Sequence, residues 1–140
     1  MIVESRQIVL DTTEKTDVID ITALAKSFVG QSSVQTGALI LFTPGSTAAL
    51  TTIEYENGVI NDLRAAIERL APERLPYEHN ERWGDGNGYS HVRSALVGPS
   101  LHVPLIDGRL SLGTWQQVVL LDFDNRARQR HVIMQIMGVS

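Results

Sequence analysis

His131-Val-Ile-Met-Gln-Ile-Met137 decides the fold class. Val132, Met134 and Ile136 alternate with His131, Ile133 and Gln135, the period of two that a β-strand imposes on its side chains. Both resulting faces carry apolar residues, so the sheet is expected to be covered on both sides. In a chain this short, a neighbouring subunit is the expected second cover.

Three more stretches upstream read as strands. Leu101 to Ile106 and Val118 to Phe123 are β-prone, and Gly37-Ala-Leu-Ile-Leu-Phe42 is a continuous apolar run of the kind buried on both faces, closed by Pro44-Gly45. Leu50-Thr-Thr-Ile-Glu-Tyr55 is rich in β-branched residues and sets Thr52, Glu54 and Glu56 on one face. Ile8-Val9-Leu10 is a further short β-prone run.

Helical spacing takes over in two places. Ile21, Leu24, Ala25 and Phe28 form one face between Asp20 and Gly30, with Asp20 or Thr22 as the start cap and Gly30 as a left-handed stop. Ile60, Leu63, Ile67 and Leu70 form a stripe from Val59 to Ala71, with Asp62 and Arg69 suited to the two ends of the dipole and Pro72 ending it. Asn57-Gly58 reads as a turn. A shorter helix is expected from Ser90, as N-cap, to Gly98. The sum is a single α+β domain with no repeat, low-complexity segment or linker.

Bulk properties agree with that reading. The chain has 140 residues, 43% hydrophobic and 20% charged, enough for one core. A net charge of −4 argues against a nucleic-acid binder, which needs a basic face. With no cysteine, disulfide scaffolds, cysteine zinc sites and thiol nucleophiles are excluded. The N-terminus lacks the basic and apolar regions of a secretory signal, and the longest apolar run is far short of the roughly 20 residues that cross a bilayer. A cytoplasmic location without membrane association is the expectation.

The chemistry concentrates between His79 and His91. After Pro76 the chain turns polar and glycine-rich, the longest stretch with no predicted element, and such loops often carry function. His79, Asp85 and His91 are good ligand types for zinc, manganese or similar divalent ions, although their spacing matches no compact metal motif. An EF-hand is rejected, because a loop starting at Asp85 would have Ser90 at position ~6 and Leu96 at position ~12, where glycine and glutamate are required. Gly84-Asp-Gly-Asn-Gly88 lacks the spacing and lysine of a phosphate loop. Free N–H groups at Gly88-Tyr-Ser-His91 could still seat an anion, with a plain helix cap as the alternative.

Other residues are weaker candidates. Ser100, His102 and Asp107 lack the elbow motif of a Ser-His-Asp hydrolase. His131 fits a packed or interface histidine. Arg126, Arg128 and Arg130 could fork onto a phosphate or simply form a solvated turn. Leu110-Ser-Leu-Gly-Thr-Trp-Gln116 offers a planar indole and an amide at Gln116, either as a pocket wall or as a core tryptophan at a strand start.

His79-Asn80, Asp85-Gly-Asn-Gly-Tyr-Ser-His91, Leu96-Val-Gly98, Ser100, Pro104, Gly108 and Leu110 to Gln116 together resemble the YjbQ-type family, identified as secondary thiamine-phosphate synthases. The likeness extends to Asp20-Ile-Thr22, Ser46-Thr-Ala-Ala49 and Arg128 to Gly138. It implies an antiparallel β-sandwich-like fold with a few short helices, assembled as a homotrimer with sites near subunit contacts. It implies a weak activity that joins hydroxymethylpyrimidine diphosphate to a thiazole phosphate. By position, His79, His91 and Asp85 become the catalytic and metal-ligating residues, holding a divalent zinc, manganese or magnesium ion. Ser90, Ser100, Thr114, Trp115, Gln116 and Arg128 become contacts to a small phosphorylated substrate, with Leu110 to Gln116 as the wall opposite the histidines. Many members carry a histidine and threonine where this chain reads Pro44-Gly45-Ser46-Thr47, which would leave that role to the Gly45 backbone or to Glu54. A binding protein for an anionic metabolite and a metal-assisted hydrolase remain alternative readings of the same residues.

Overall fold

Every strand pairs antiparallel with its neighbours, in two sheets packed face to face. The computed structural model describes residues 1–140. The larger sheet is built from β1 (Ile2–Asp11), β8 (Gln129–Val139), β3 (Thr36–Phe42), β5 (Ser100–Ile106) and β6 (Arg109–Leu110), in that order. The smaller sheet runs β2 (Asp17–Asp20), β7 (Gln116–Asp122), β4 (Ala48–Glu54). Four helices complete the chain: α1 (Thr22–Gly30), α2 (Asn57–Leu70), α3 (Glu78–Trp83) and α4 (Gly88–Val97). The expected α+β sandwich is therefore the fold.

The core follows from the alternation. Val132, Met134 and Ile136 of β8 point inward, level with Leu39 and Leu41 of β3 in the pairing Leu39 to Ile136 and Leu41 to Met134. They meet Leu50 of β4 and Val118 and Leu120 of β7, while α1 closes one end with Ile21, Ala25, Phe28 and Val29. Each fully buried aliphatic side chain of this kind contributes roughly 1.5–3 kcal/mol relative to exposure. The other face of the smaller sheet carries Val18, Ala49, Val119 and Leu121, and α2 covers it with Ile60 and Ile67. The layers are sheet, sheet and helix, so β7 is the strand buried on both sides.

β3 does not fit the two-sided burial its apolar run suggests. Its alternate face, with Ala38, Ile40 and Phe42, lies on the outside of the larger sheet, and Phe42 is 41% exposed. The same outer face carries Ile133 and Met137 of β8, and nothing in the chain covers it.

Helix ends also differ from the sequence reading. Asn57-Gly58 is the first turn of α2, because the Glu56 carboxylate accepts from the N–H groups of Gly58 and Val59. That side chain satisfies two of the donors a helix start leaves free. Asp20 does serve the start of α1, accepting from the Thr22 N–H at 2.9 Å. Gly30 stays inside the helix, which closes on Gln31 in right-handed geometry rather than on a left-handed glycine. Thr22 then ties α1 to β7, accepting from the Val118 N–H at 2.8 Å.

Candidate functional site

The stretch after Pro76 contains a short helix, and this is what makes a site of it. α3 buries none of its side chains, so no apolar stripe announces it. It ends on Gly84 at φ 66°, a left-handed turn that glycine adopts without strain. The chain then folds back through Asp85 and Asn87 into α4. Gly88 donates to Asn80 Oδ1 at 2.9 Å, and a Cβ at Gly88 would press on the Tyr77 side chain. Only glycine permits this approach of α4 to α3.

Asn87, not Ser90, precedes the first turn of α4. Ser90 lies two residues into the helix, fully buried, with its hydroxyl on the Asn87 carbonyl. Asn87 is itself 3% exposed and accepts from the Asn125 N–H, which fastens the loop to the β7–β8 connection. The free N–H groups expected at Gly88 and Ser90 are therefore occupied, by Asn80 Oδ1 and the Asn87 carbonyl.

This folding brings His79 of α3 and His91 of α4 together, their ring centroids 4.4 Å apart and tilted by 48°. His79 Nε2 stands 3.3 Å from Asp85 Oδ2. The Asn87 N–H, donating to Asp85 Oδ1, is the main cause that holds the Asp85 carboxyl below its ordinary range, with His79 adding to it. An ionised carboxylate on one ring nitrogen orients an imidazole. The arrangement is an Asp85–His79 pair with a second imidazole in contact, suited to proton transfer and to hydrogen bonding of an oxyanion.

As a metal centre it fits less well. Nowhere do three His, Asp or Glu side chains come together in the manner of metal ligands, and His79 turns its Nε2 to Asp85. Of the expected triad, His79 contacts both Asp85 and the His91 ring.

His91 also lines an open cavity of about 310 Å³ with Gly45, Ser46, Ser94, Ala95 and Pro99. Gly45, where a family histidine was expected, thus shares this space with His91. Trp115 lies elsewhere. It is 72% exposed and lines a separate cavity of about 650 Å³ with Asp20, Glu54, Tyr55, Glu56, Asn57 and Gln117. Glu54 belongs to that cavity too, not to the histidine site. Thr114 is exposed in the same turn, and Gln116 is spent on its surroundings, accepting from the Gly113 N–H and donating to Thr52 Oγ1 at 3.0 Å. Leu110 to Gln116 and the histidine loop share no cavity within one chain. Ser100 and His102 stand on the uncovered outer face of the larger sheet.

Of the three clustered arginines, Arg128 is half-exposed, with its Nε 3.1 Å from Asp124. Arg130 is the buried one, held by Asp122 and Thr47 behind the cavity wall. A signal for it exists in the sequence: Arg130 has the same parity as Val132, Met134 and Ile136, so the alternation that turns them inward turns it inward as well.

Comparison with known proteins places the chain. The pattern described as UPF0047 protein YjbQ-like matches residues 6–139. A UPF0047 protein of Archaeoglobus fulgidus is 34% identical over 131 residues, covering 94% of this chain and 99% of its own. The UPF0047 protein YugU of Bacillus subtilis is 34% identical over 130 residues, covering 92% and 96%. The crystal structure of a YbjQ-like protein of unknown function from Sulfolobus solfataricus P2 superposes with a TM-score of 0.92 at 28% identity, covering 97% of both chains. A YjbQ/UPF0047-family protein from Clostridium acetobutylicum gives 0.86 at 32% identity, covering 94% and 99%. On the sequence match and the shared fold together, this chain belongs to the YjbQ-like UPF0047 family.

Proposed function

We propose that the chain is an enzyme acting on a small phosphorylated molecule at the His79–His91 pair. The observation that carries this is the Asp85-oriented His79 ring lying 4.4 Å from His91 beside an open cavity. The reaction class taken from the sequence resemblance is a transfer of thiamine-phosphate-synthase type. In that transfer the thiazole nitrogen bonds to the methylene carbon of the pyrimidine diphosphate. The carbon–oxygen bond breaks, and pyrophosphate leaves with the bonding pair. His79, oriented by Asp85, and His91 would hydrogen-bond the departing oxygens.

The same reading assigns the outer face of the larger sheet to contacts between copies in a cytoplasmic homotrimer. Val3, Val9, Phe42, Ile106 and Ile133 are 38–59% exposed there, an unusually apolar surface for a free sheet.

The test is turnover of the two precursors by the purified protein, with product and pyrophosphate measured together. His79→Ala and His91→Ala are expected to lose roughly 10²–10⁴-fold in rate while keeping their melting temperatures. Full activity in both folded variants would refute the assignment. Binding of phosphorylated ligands without any turnover would favour the second reading, a receptor for an anionic metabolite.

A further inference from the structure

We infer that the β3–β4 loop, with Arg130 behind it, is a seat for one phosphoryl group of the ligand that His91 faces. The inference rests on the reading of the histidine pair only for what that phosphoryl group is attached to.

The loop Thr43–Thr47 lies outside both sheets. Thr43 is committed, its N–H donating to the Pro99 carbonyl at 2.9 Å and its hydroxyl to the His131 carbonyl. Proline 44 has no N–H. The next three main-chain N–H groups, of Gly45, Ser46 and Thr47, donate to no atom of the protein, and neither does the exposed Ser46 hydroxyl. Thr47 is only 5% exposed, so an unpaired N–H there is costly. Successive free N–H groups at a glycine turn form a concavity that favours an anion. Gly45 sits at φ 134°, a conformation costly for other residues.

Arg130 supplies the second, independent observation. It is 8% exposed, and two of its three guanidinium nitrogens are used: Nε on Asp122, and Nη2 on Asp122 and Thr47. Nη1 has no partner. Because no sealed side-chain nitrogen or oxygen in the protein lacks one, Nη1 must reach open space. It stands 3.4 Å from where a Cβ on Gly45 would be, which puts it next to the loop. Gly45 and Ser46 in turn line the cavity that His91 enters.

The nearby carboxylates take Nε and Nη2 and leave Nη1 free. Asp122 points both oxygens at Arg130, and Asp124 divides its own among Thr47, Arg128, the Arg126 N–H and a longer 3.6 Å approach to Arg130 Nη2. They hold the guanidinium rigidly and leave its third nitrogen outward. A buried arginine with its Nη1 amino group free beside three main-chain donors suits the tetrahedral oxygens of a phosphate. The larger cavity at Trp115 has the opposite preference, since Asp20, Glu54 and Glu56 line it and would repel an anion.

The experiment is a titration of the full chain with inorganic phosphate and with pyrophosphate, followed by amide shifts and by calorimetry. Shifts are expected at the Gly45, Ser46 and Thr47 amides. Ser46→Asp, at an exposed position, is expected to weaken binding of both ions at least ~10-fold, since it sets a carboxylate among the donors. Arg130→Lys, checked for folding by circular dichroism, is expected to weaken it comparably by removing the outward N–H, whereas Glu54→Gln should leave it unchanged. Binding that persists in Ser46→Asp, shifts confined to other residues, or no binding at millimolar phosphate would each overturn the seat. Loop-centred binding in a wild type that turns over nothing would keep the seat and sink the transferase reading. Turnover with binding insensitive to Ser46→Asp would do the reverse.

Discussion

Arg130 holds Asp122 through two hydrogen bonds, Nε to Oδ2 at 2.7 Å and Nη2 to Oδ1 at 3.1 Å, with the carboxylate fully buried. The pair joins β8 of the larger sheet to β7 of the smaller one, so it bridges the sandwich at the end where the candidate site opens. Taking two charges out of water is expensive, and a buried pair of this kind does little for net stability; removing one partner is another matter. Asp122→Ala leaves the buried guanidinium only Thr47 and the longer 3.6 Å contact with Asp124, and is expected to cost about 3 kcal/mol. Urea denaturation measures it. A loss below ~1 kcal/mol would mean that Arg130 finds another partner or solvent.

Asp124 gives the protein an acid-sensitive element. Burial pushes its carboxyl up, but hydrogen bonds from Thr47, the Arg126 N–H and Arg128 outweigh this and hold it below the ordinary value of 3.8. A depressed folded value means that the ionised form stabilises the fold. That contribution is complete above the unfolded value of 3.8 and fades as pH falls below it, through the folded value. Melting temperatures of wild type and Asp124→Asn should therefore differ most near neutrality and converge at the acidic end. A gap that stays constant down to pH ~3 would contradict this.

Gly37 and Gly138 face each other in the β3–β8 register. A Cβ at Gly37 would collide with the Met137 carbonyl, and one at Gly138 with the Thr36 carbonyl. Backbone cannot step aside as a flexible side chain can. Gly37→Ala and Gly138→Ala are each expected to destabilise by roughly 1–3 kcal/mol or more, despite adding a single methyl group. Hydrogen exchange should show the loss first at the Gly37–Gly138 end of the two strands.

The uncovered face of the larger sheet makes assembly testable without activity. Ile133→Arg and Phe42→Glu each put a charge on an exposed outer-face position, so the isolated fold should tolerate them. If copies meet there, both variants should run as smaller species than wild type in size exclusion with light scattering. Unchanged mass for both would place the contact elsewhere, and a monomeric wild type would remove it.

Several elements were legible because a local rule decided them. The alternation in Val132, Met134 and Ile136, the apolar run at Val118–Leu121 and the helical stripe of Ile60 and Ile67 all lie where periodicity placed them. β2 and β6, at 4 and 2 residues, are too short to carry a period. α3 was invisible for a different reason: a helix that buries no side chain needs no apolar face. The turn propensity of Asn57-Gly58 is outweighed by a local interaction, the Glu56 carboxylate that caps α2.

For the candidate site, the sequence by itself determined the inventory: two histidines, Asp85 and the glycines of one polar loop, in an α+β sandwich set by periods of two and 3.6. Tertiary structure decided everything that depends on distance. It brought the His79 ring against His91, because Gly84 turns left-handed and Gly88 lets two helices touch. It moved Trp115 to a different cavity, and put Gly45 on the cavity of His91 with Arg130 next to that glycine. Side-chain period and turn chemistry are local properties that a chain displays residue by residue. Which loop meets which is fixed only by the packing of sheets whose strands lie far apart in sequence.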